Sequence, residues 1–244
     1  MTKKKTAFIS GASRGIGEAI ARALAREDYH LALTCRNSEK ELEALAKELR
    51  ESCRVQVLTF VGDMGDPAFV AAAGKATLDA FQNVDVLINN AGISHVGLLT
   101  DMTAEQWNHL LSVNLSSCFY TAKAFVPAMV ATKSGRIINI SSMWGSRGAS
   151  CEAAYSASKG GMDSLTKALA KELAPSNISV NAIACGVIDT AMNDCFTPEE
   201  KAALAEEIPF GRFASCQEAA QTVLALLSAP PYLTGQIIGL DGGI

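Results

Sequence analysis

Tyr155 and Lys159 stand four residues apart, a spacing that on an α-helix puts both side chains on one face as neighbours across a single turn. A free phenol ionises near pH 10, too high for easy proton exchange at neutrality. A cation about 4 Å away at an effective dielectric of about 20 is worth roughly 4 kcal/mol, or roughly 3 pKa units, before desolvation opposes it. The pair is therefore expected to act as a proton carrier in which the lysine lowers the tyrosine. Ser142, a little upstream, would hold the reacting oxygen with a second hydrogen bond, in the manner of an oxyanion site. Taken alone, Tyr and Lys at this spacing are more often a packed ring beside a solvated amine, so the reading rests on their surroundings.

A second constellation can bind phosphate. Ser10 is followed by Gly11, Ala12, Ser13, Arg14, Gly15, Ile16 and Gly17, with glycines at intervals of four and two instead of the GxGxxG order. Glycine lets the backbone turn tightly and approach a pyrophosphate, and a following helix offers unpaired N–H groups and the positive end of its dipole. Without a ligand the same stretch is only a glycine-rich turn. Further on, Cys35, Arg36 and Asn37 fall where a classical NAD site places a carboxylate for the ribose hydroxyls, yet no acid occurs before Glu39. Arg36, helped by Arg14, would form charge-assisted bonds to a 2'-phosphate, which favours NADP over NAD, the alternative being a solvated arginine. Asp63 with Met64, and Asn90 with Ala91 and Gly92, suit an adenine amino group and a ribose, although Asn, Asp and Gly also dominate ordinary turns.

These residues need a scaffold that brings them to one edge. Short β-branched runs at 6–10, 30–35, 55–61, 84–89, 136–140, 178–183 and 236–240 alternate with amphipathic stretches. Asp66 with Pro67, Thr103 with Gln106, and Thr197 and Pro198 with Glu200 mark helix starts. The expected architecture is an α/β single domain over 1–244: a Rossmann-type, doubly wound parallel sheet of seven strands with helices on both faces. A cofactor half of about 1–130 and a catalytic and substrate half of about 131–244 follow. Right-handed crossovers would align the strand C-termini along one edge, where ligands bind in open sheets.

Composition narrows the partners. The 244 residues are 49% hydrophobic with a net charge of −4, which argues against disorder and leaves no basic surplus for nucleic acid or an anionic membrane. No apolar stretch approaches the roughly 20 residues of a membrane helix. Lys3, Lys4 and Lys5 resemble the start of a signal peptide, but the apolar run ends after Ile9. The cysteines at 35, 53, 118, 151, 185, 195 and 216 never form a CxxC pair, so reduced thiols and a cytoplasmic location are expected. No metal is expected, because His30, His95 and His109 lack ligand spacing; no GxSxG elbow supports a serine hydrolase.

Together the glycine turn, Asp63, Asn89–Gly92, Asn114, Ser142, Tyr155 with Lys159, and Leu240 to Gly243 resemble the short-chain dehydrogenases/reductases over essentially the whole chain. That resemblance implies catalytic roles for Ser142, Tyr155 and Lys159, with Lys159 also gripping the nicotinamide ribose. Asn114 becomes a fourth member that holds a helix kink and a water in a proton relay. The family's usual Pro-Gly after strand six is here Cys185 and Gly186, which removes a fixed φ and implies a slightly looser loop. Ile188 and Thr190 take on contacts to the carboxamide or pyrophosphate. Cys185 is read as a small buried thiol or, alternatively, an oxidation point.

Within the family the chain is most similar to bacterial 3-oxoacyl-[acyl-carrier-protein] reductases, which implies an NADPH-dependent carbonyl reductase of fatty acid biosynthesis, a homotetramer built through 103–133, 151–175 and the last strand. One basic position of the carrier-docking surface is kept as Lys133, and the second is Ser176, so an acyl carrier protein would be steered more weakly. The family's substrate wall falls on His95, Met143, Trp144 and Met192, and an apolar pocket with an aromatic side suits a small or flat ketone as readily as an acyl chain. Trp144 and Ser176 leave open a sugar, polyol, steroid or xenobiotic alcohol dehydrogenase. A non-catalytic NADP-binding sensor or scaffold is the alternative of another class.

Overall fold

The computed structural model describes residues 4–193 and 196–244; Lys3 and Cys195 lie outside them. Seven strands form one sheet: β1 (Thr6–Ile9), β2 (His30–Cys35), β3 (Val57–Val61), β4 (Val86–Asn89), β5 (Gly135–Ser142), β6 (Ile178–Cys185) and β7 (Ile237–Leu240). Every pairing is parallel and the order is β3-β2-β1-β4-β5-β6-β7. Strand period two sorts the side chains between two cores. Ala7, Ile9, Leu31, Leu33, Val86 and Ile88 face α1 (Gly15–Arg26), α2 (Glu39–Cys53) and α9 (Cys216–Ser228). Their neighbours Phe8, Ala32 and Leu87 face α3 (Pro67–Phe81), α5 (Ser117–Thr132) and α7 (Ala153–Leu173). Both faces of the sheet are thus covered, as a parallel sheet requires.

The expected helix starts are present. Asp66 accepts from Ala68 N, with Pro67 opening α3, and reciprocal capping boxes open α4 (Ala104–Leu111) at Thr103 and Gln106 and α8 (Pro198–Glu207) at Thr197 and Glu200. Strands β5 and β6 each run two residues beyond the expected stretches. Ser141 pairs with Ala184 and Ser142 with Cys185, so backbone pairing carries β5 past its apolar run, while Ala184 and Cys185 continue the buried apolar run of β6. A π-helical turn over Ser112–Ser116 joins α4 to α5. The order reverses at β1, whose neighbours β2 and β4 depart in opposite directions, and a crevice opens at the C-terminal ends of β1 and β4. No helix among the described residues is long and apolar enough to cross a membrane.

A buried polar chain ties the two central strands to two helices. Thr121 on α5 donates to Asn89 Oδ1 at 2.7 Å, Asn89 donates to Asn139 Oδ1 at 2.8 Å, and Asn139 donates to Thr166 Oγ1 on α7 at 2.8 Å. Asn89 and Asn139 are register partners, so the link spans β4 and β5 without distorting either. Replacing Asn139 by leucine strands buried partners on both sides, each worth about 1–3 kcal/mol. Asn139→Leu is expected to lower unfolding free energy by about 3 kcal/mol in urea denaturation; a loss below about 0.5 kcal/mol would mean that the chain is not a structural tie.

Candidate active site

The glycine turn between β1 and α1 is shaped by its neighbours. Gly11 and Gly15 adopt φ of 66° and 61°, the left-handed region that glycine enters without strain. A Cβ on Gly17 would overlap the Gly11 carbonyl oxygen and the Asn90 amide. The Asn90 side chain fastens the turn by donating to Ser10 O at 3.0 Å and Gly11 O at 2.8 Å. Ser10 Oγ accepts from the N–H groups of Asn90 and Ala91, both at 3.0 Å, and Thr34 Oγ1 accepts from Gly11 N at 3.2 Å. Sequence reading takes Ser10 only as the start of the glycine stretch and misses Thr34, because a single threonine in a strand carries no spacing signal.

Other expected cofactor residues gather around this turn. Arg14 is exposed at the N-cap of α1, Ser13 is half-buried, and Ile16 packs on the adjoining core. Thr190 arrives from the far half of the chain, its Cγ2 3.5 Å from where a Gly15 Cβ would be. Ile188 is buried and bridged to Ala214, and Gly186 donates to Leu240 O at 2.9 Å. Asp63 closes its own turn by accepting from Gly65 N at 2.8 Å, and Met64 is buried beneath. Arg36 is exposed, with Nε 3.3 Å from Asp63 Oδ2 and Nη1 3.0 Å from His109 Nε2 on α4. The cradle left by absent Cβ atoms, together with the exposed arginines, fits a dinucleotide: the glycine turn would face the pyrophosphate, Asp63 and Ala91 the adenosine, and Thr190 the nicotinamide side.

The chemistry-bearing residues meet at the ends of β4, β5 and α7. Lys159 is 3% exposed, and its ammonium donates to Ile140 O at 2.8 Å. Asn114, fully buried in the π turn, accepts from Ile93 N at 2.8 Å and donates to Ile93 O at 2.9 Å and Ser158 Oγ at 3.1 Å. A Cβ on Gly92 would be 3.5 Å from Asn114 Oδ1 and 3.6 Å from Lys159 Nζ, which places Gly92 beside both polar groups. Ser142 Oγ accepts from Trp144 N at 3.3 Å, at the start of the short helix α6 (Trp144–Arg147). Of the expected substrate wall, Met143 is buried, His95 and Trp144 are half-buried, and Met192 is exposed.

The expected acidification of Tyr155 is corrected by this geometry. Burial pushes the phenol up to about 12, with hydrogen bonding to Ser142 pulling in the opposite direction. The Lys159 ammonium is 5.6 Å from the ring centre and committed to the Ile140 carbonyl, and its own pKa is pushed down by burial. Tyr155 is thus a held proton, ready to be given rather than already lost. Burial also raises the thiols of Cys118 to about 11 and Cys185 to about 12, which leaves both protonated and unreactive at neutrality.

A family model described as short chain dehydrogenase matches residues 5–201. The chain is 41% identical over 240 residues to an uncharacterized oxidoreductase, YmfI, of Bacillus subtilis, covering 98% of each. It is 38% identical over 245 residues to the 3-oxoacyl-[acyl-carrier-protein] reductase FabG of Staphylococcus aureus, covering 100% of this chain and 99% of that one. A crystal structure of an actinorhodin polyketide ketoreductase variant with NADPH superposes with a TM-score of 0.93 at 32% identity, covering 100% of this chain and 98% of the other.

Ultraviolet titration of the cofactor-free protein checks the state of Tyr155. The phenolate signal of wild type minus Tyr155→Phe is expected to be absent at pH 10.0, where an ordinary tyrosine is half ionised. A full phenolate difference below that pH would restore the lysine-acidified phenol.

Proposed function

The chain belongs to the short-chain dehydrogenase family of nicotinamide-dependent oxidoreductases, and on that premise we propose that it is an NADPH-dependent carbonyl reductase acting on a 3-oxoacyl thioester. The observation that carries the reading is the convergence of Ser142, Tyr155, Lys159 and Asn114 beside the glycine-lined crevice. A nucleotide sensor has no use for a buried ammonium, a half-buried phenol and a buried serine at that place. The exposed Arg36, with no acid in its own turn before Glu39, favours the 2'-phosphorylated cofactor.

In this reading the substrate carbonyl oxygen accepts from Ser142 Oγ and from Tyr155 Oη. As the carbonyl carbon is reduced, the developing alkoxide takes the phenolic proton. Two donors aimed at that oxygen stabilise charge where it forms. The bound cofactor supplies the hydride. Lys159, held by Ile140 O, keeps a positive charge beside the ring as the proton leaves and grips the ribose, and Asn114 fixes the kink that lines the relay. Tyr155 enters this step with its proton in place.

The thioester assignment draws on the 3-oxoacyl reductase and polyketide ketoreductase relatives. A small or flat ketone is the second reading. It is favoured by the half-buried Trp144 beside Ser142 and by the proposed docking surface: Asn177 donates to Lys133 O at 3.2 Å, so Ser176 adjoins the lysine without adding a charge. We further propose the homotetramer of the family as the assembly.

Acetoacetyl thioester reduction with NADPH, run beside a panel of ketones and alcohols, separates the two readings, and failure on the thioester removes the first. Tyr155→Phe is expected to lower kcat by at least about a hundredfold, the size of a general-acid contribution, while NADPH affinity survives. Arg36→Asp should raise KM for NADPH far more than for NADH; equal effects would refute the phosphate assignment.

A further inference from the structure

His109 takes no part in the reactions above, yet it is the side chain on which Arg36 rests. A guanidinium has donors and no acceptor, so the 3.0 Å contact between Arg36 Nη1 and His109 Nε2 requires a lone pair on that nitrogen. On its other edge the same guanidinium meets Asp63 Oδ2 at 3.3 Å. Three elements thus converge on one cation: the turn after β2, the turn after β3, and α4. The Asp63–Gly65 turn is seated against the end of α4, since a Gly65 Cβ would be 3.1 Å from Ser112 Cβ.

We propose that His109 is a proton-linked specificity residue for the 2'-phosphate, an inference that rests on the NADP reading. A dianion reaching Arg36 competes for the donors now given to Asp63 and His109. Once its lone pair is released, the imidazole takes one proton from solvent at Nε2, and the new N–H donates to the same phosphate. Binding would then take up a proton, and the phosphate would be held between two cations instead of one. Histidine is suited to this because its charge changes between about pH 5 and 8.

Few other charges compete for the ring. Glu105, one turn earlier on α4, is committed to the helix start, where the first backbone N–H and Thr103 hold its carboxyl below the usual range. On α7, which also packs against α4, the buried Lys159 is turned to β5 through Ile140 O, and Asp163 is buried. Asp63 reaches His109 only through Arg36.

Calorimetric binding of NADP+ and NAD+ to wild type and His109→Gln, at about pH 8 and about pH 6 and in buffers of different ionisation heat, tests the proposal. Glutamine keeps an acceptor for Arg36 and cannot titrate. One linked proton changes affinity by at most about tenfold per pH unit, so the NADP+ affinity ratio of wild type to variant should rise about three- to tenfold on acidification. Wild type should also take up more protons than the variant on binding NADP+, and the two should show the same proton count with NAD+. Because the 2'-phosphate itself titrates, the difference between the proteins is the quantity read. Identical pH courses and proton counts for NADP+ would overturn the role of His109 while leaving the NADP preference intact. NAD+ binding as tightly as NADP+ to wild type would instead overturn the cofactor reading, and this inference with it.

Discussion

An ammonium that is 3% exposed must be given an acceptor by the protein, since water no longer reaches it. The bond from Lys159 to Ile140 O meets that requirement, and much of the site follows from it. Strand β5 has to deliver a carbonyl at that height and then continue to Ser142. Helix α7 must lie close enough for its lysine to reach the sheet, a distance fixed by the Asn139–Thr166 bond further along the same two elements. Lys159 thus ties α7 to β5 beside the Asn139–Thr166 bond.

The dinucleotide side obeys a different constraint, that a tight turn be held open without side chains of its own. Its rigidity is borrowed from the adjoining strands: Thr34 and Asn90 anchor the Gly11 backbone from both sides of the crevice, and Ser10 Oγ holds the main chain of Asn90 and Ala91. Thr190 then closes in from beyond β6. Residues on either side of the sheet's reversal are therefore coupled through main-chain atoms, which a change of side chain at the surface leaves undisturbed.

Much of this was legible in the sequence where the signal is local. Alternation in 30–35 and 84–89 announced strands, and the Thr103 and Thr197 boxes announced helices, because cap and period are encoded within a few residues. The glycine turn and the Tyr155–Lys159 spacing were legible for the same reason. What escaped was set by groups distant in the chain. The acidity of Tyr155 depends on how deeply its ring is covered and on which carbonyl claims the lysine, neither of which a four-residue spacing records. The partner of Arg36 comes from a helix 73 positions away. The last residues of β5, Ser141 and Ser142, are held by pairing with Ala184 and Cys185 of β6, so their polarity hides the end of that strand from a reading based on hydrophobic runs.

The π turn at Ser112–Ser116 carries one residue more than an α-helix would use to cover the same rise. Each residue of an α-helix advances the azimuth by about 100°. A single-residue deletion in this stretch would restore regular winding and swing Asn114 away from Ile93 by about that angle. Natural length variation in this chain should therefore be tolerated at the loop tips and forbidden here, where the count of residues, independent of their identity, sets which way an amide points.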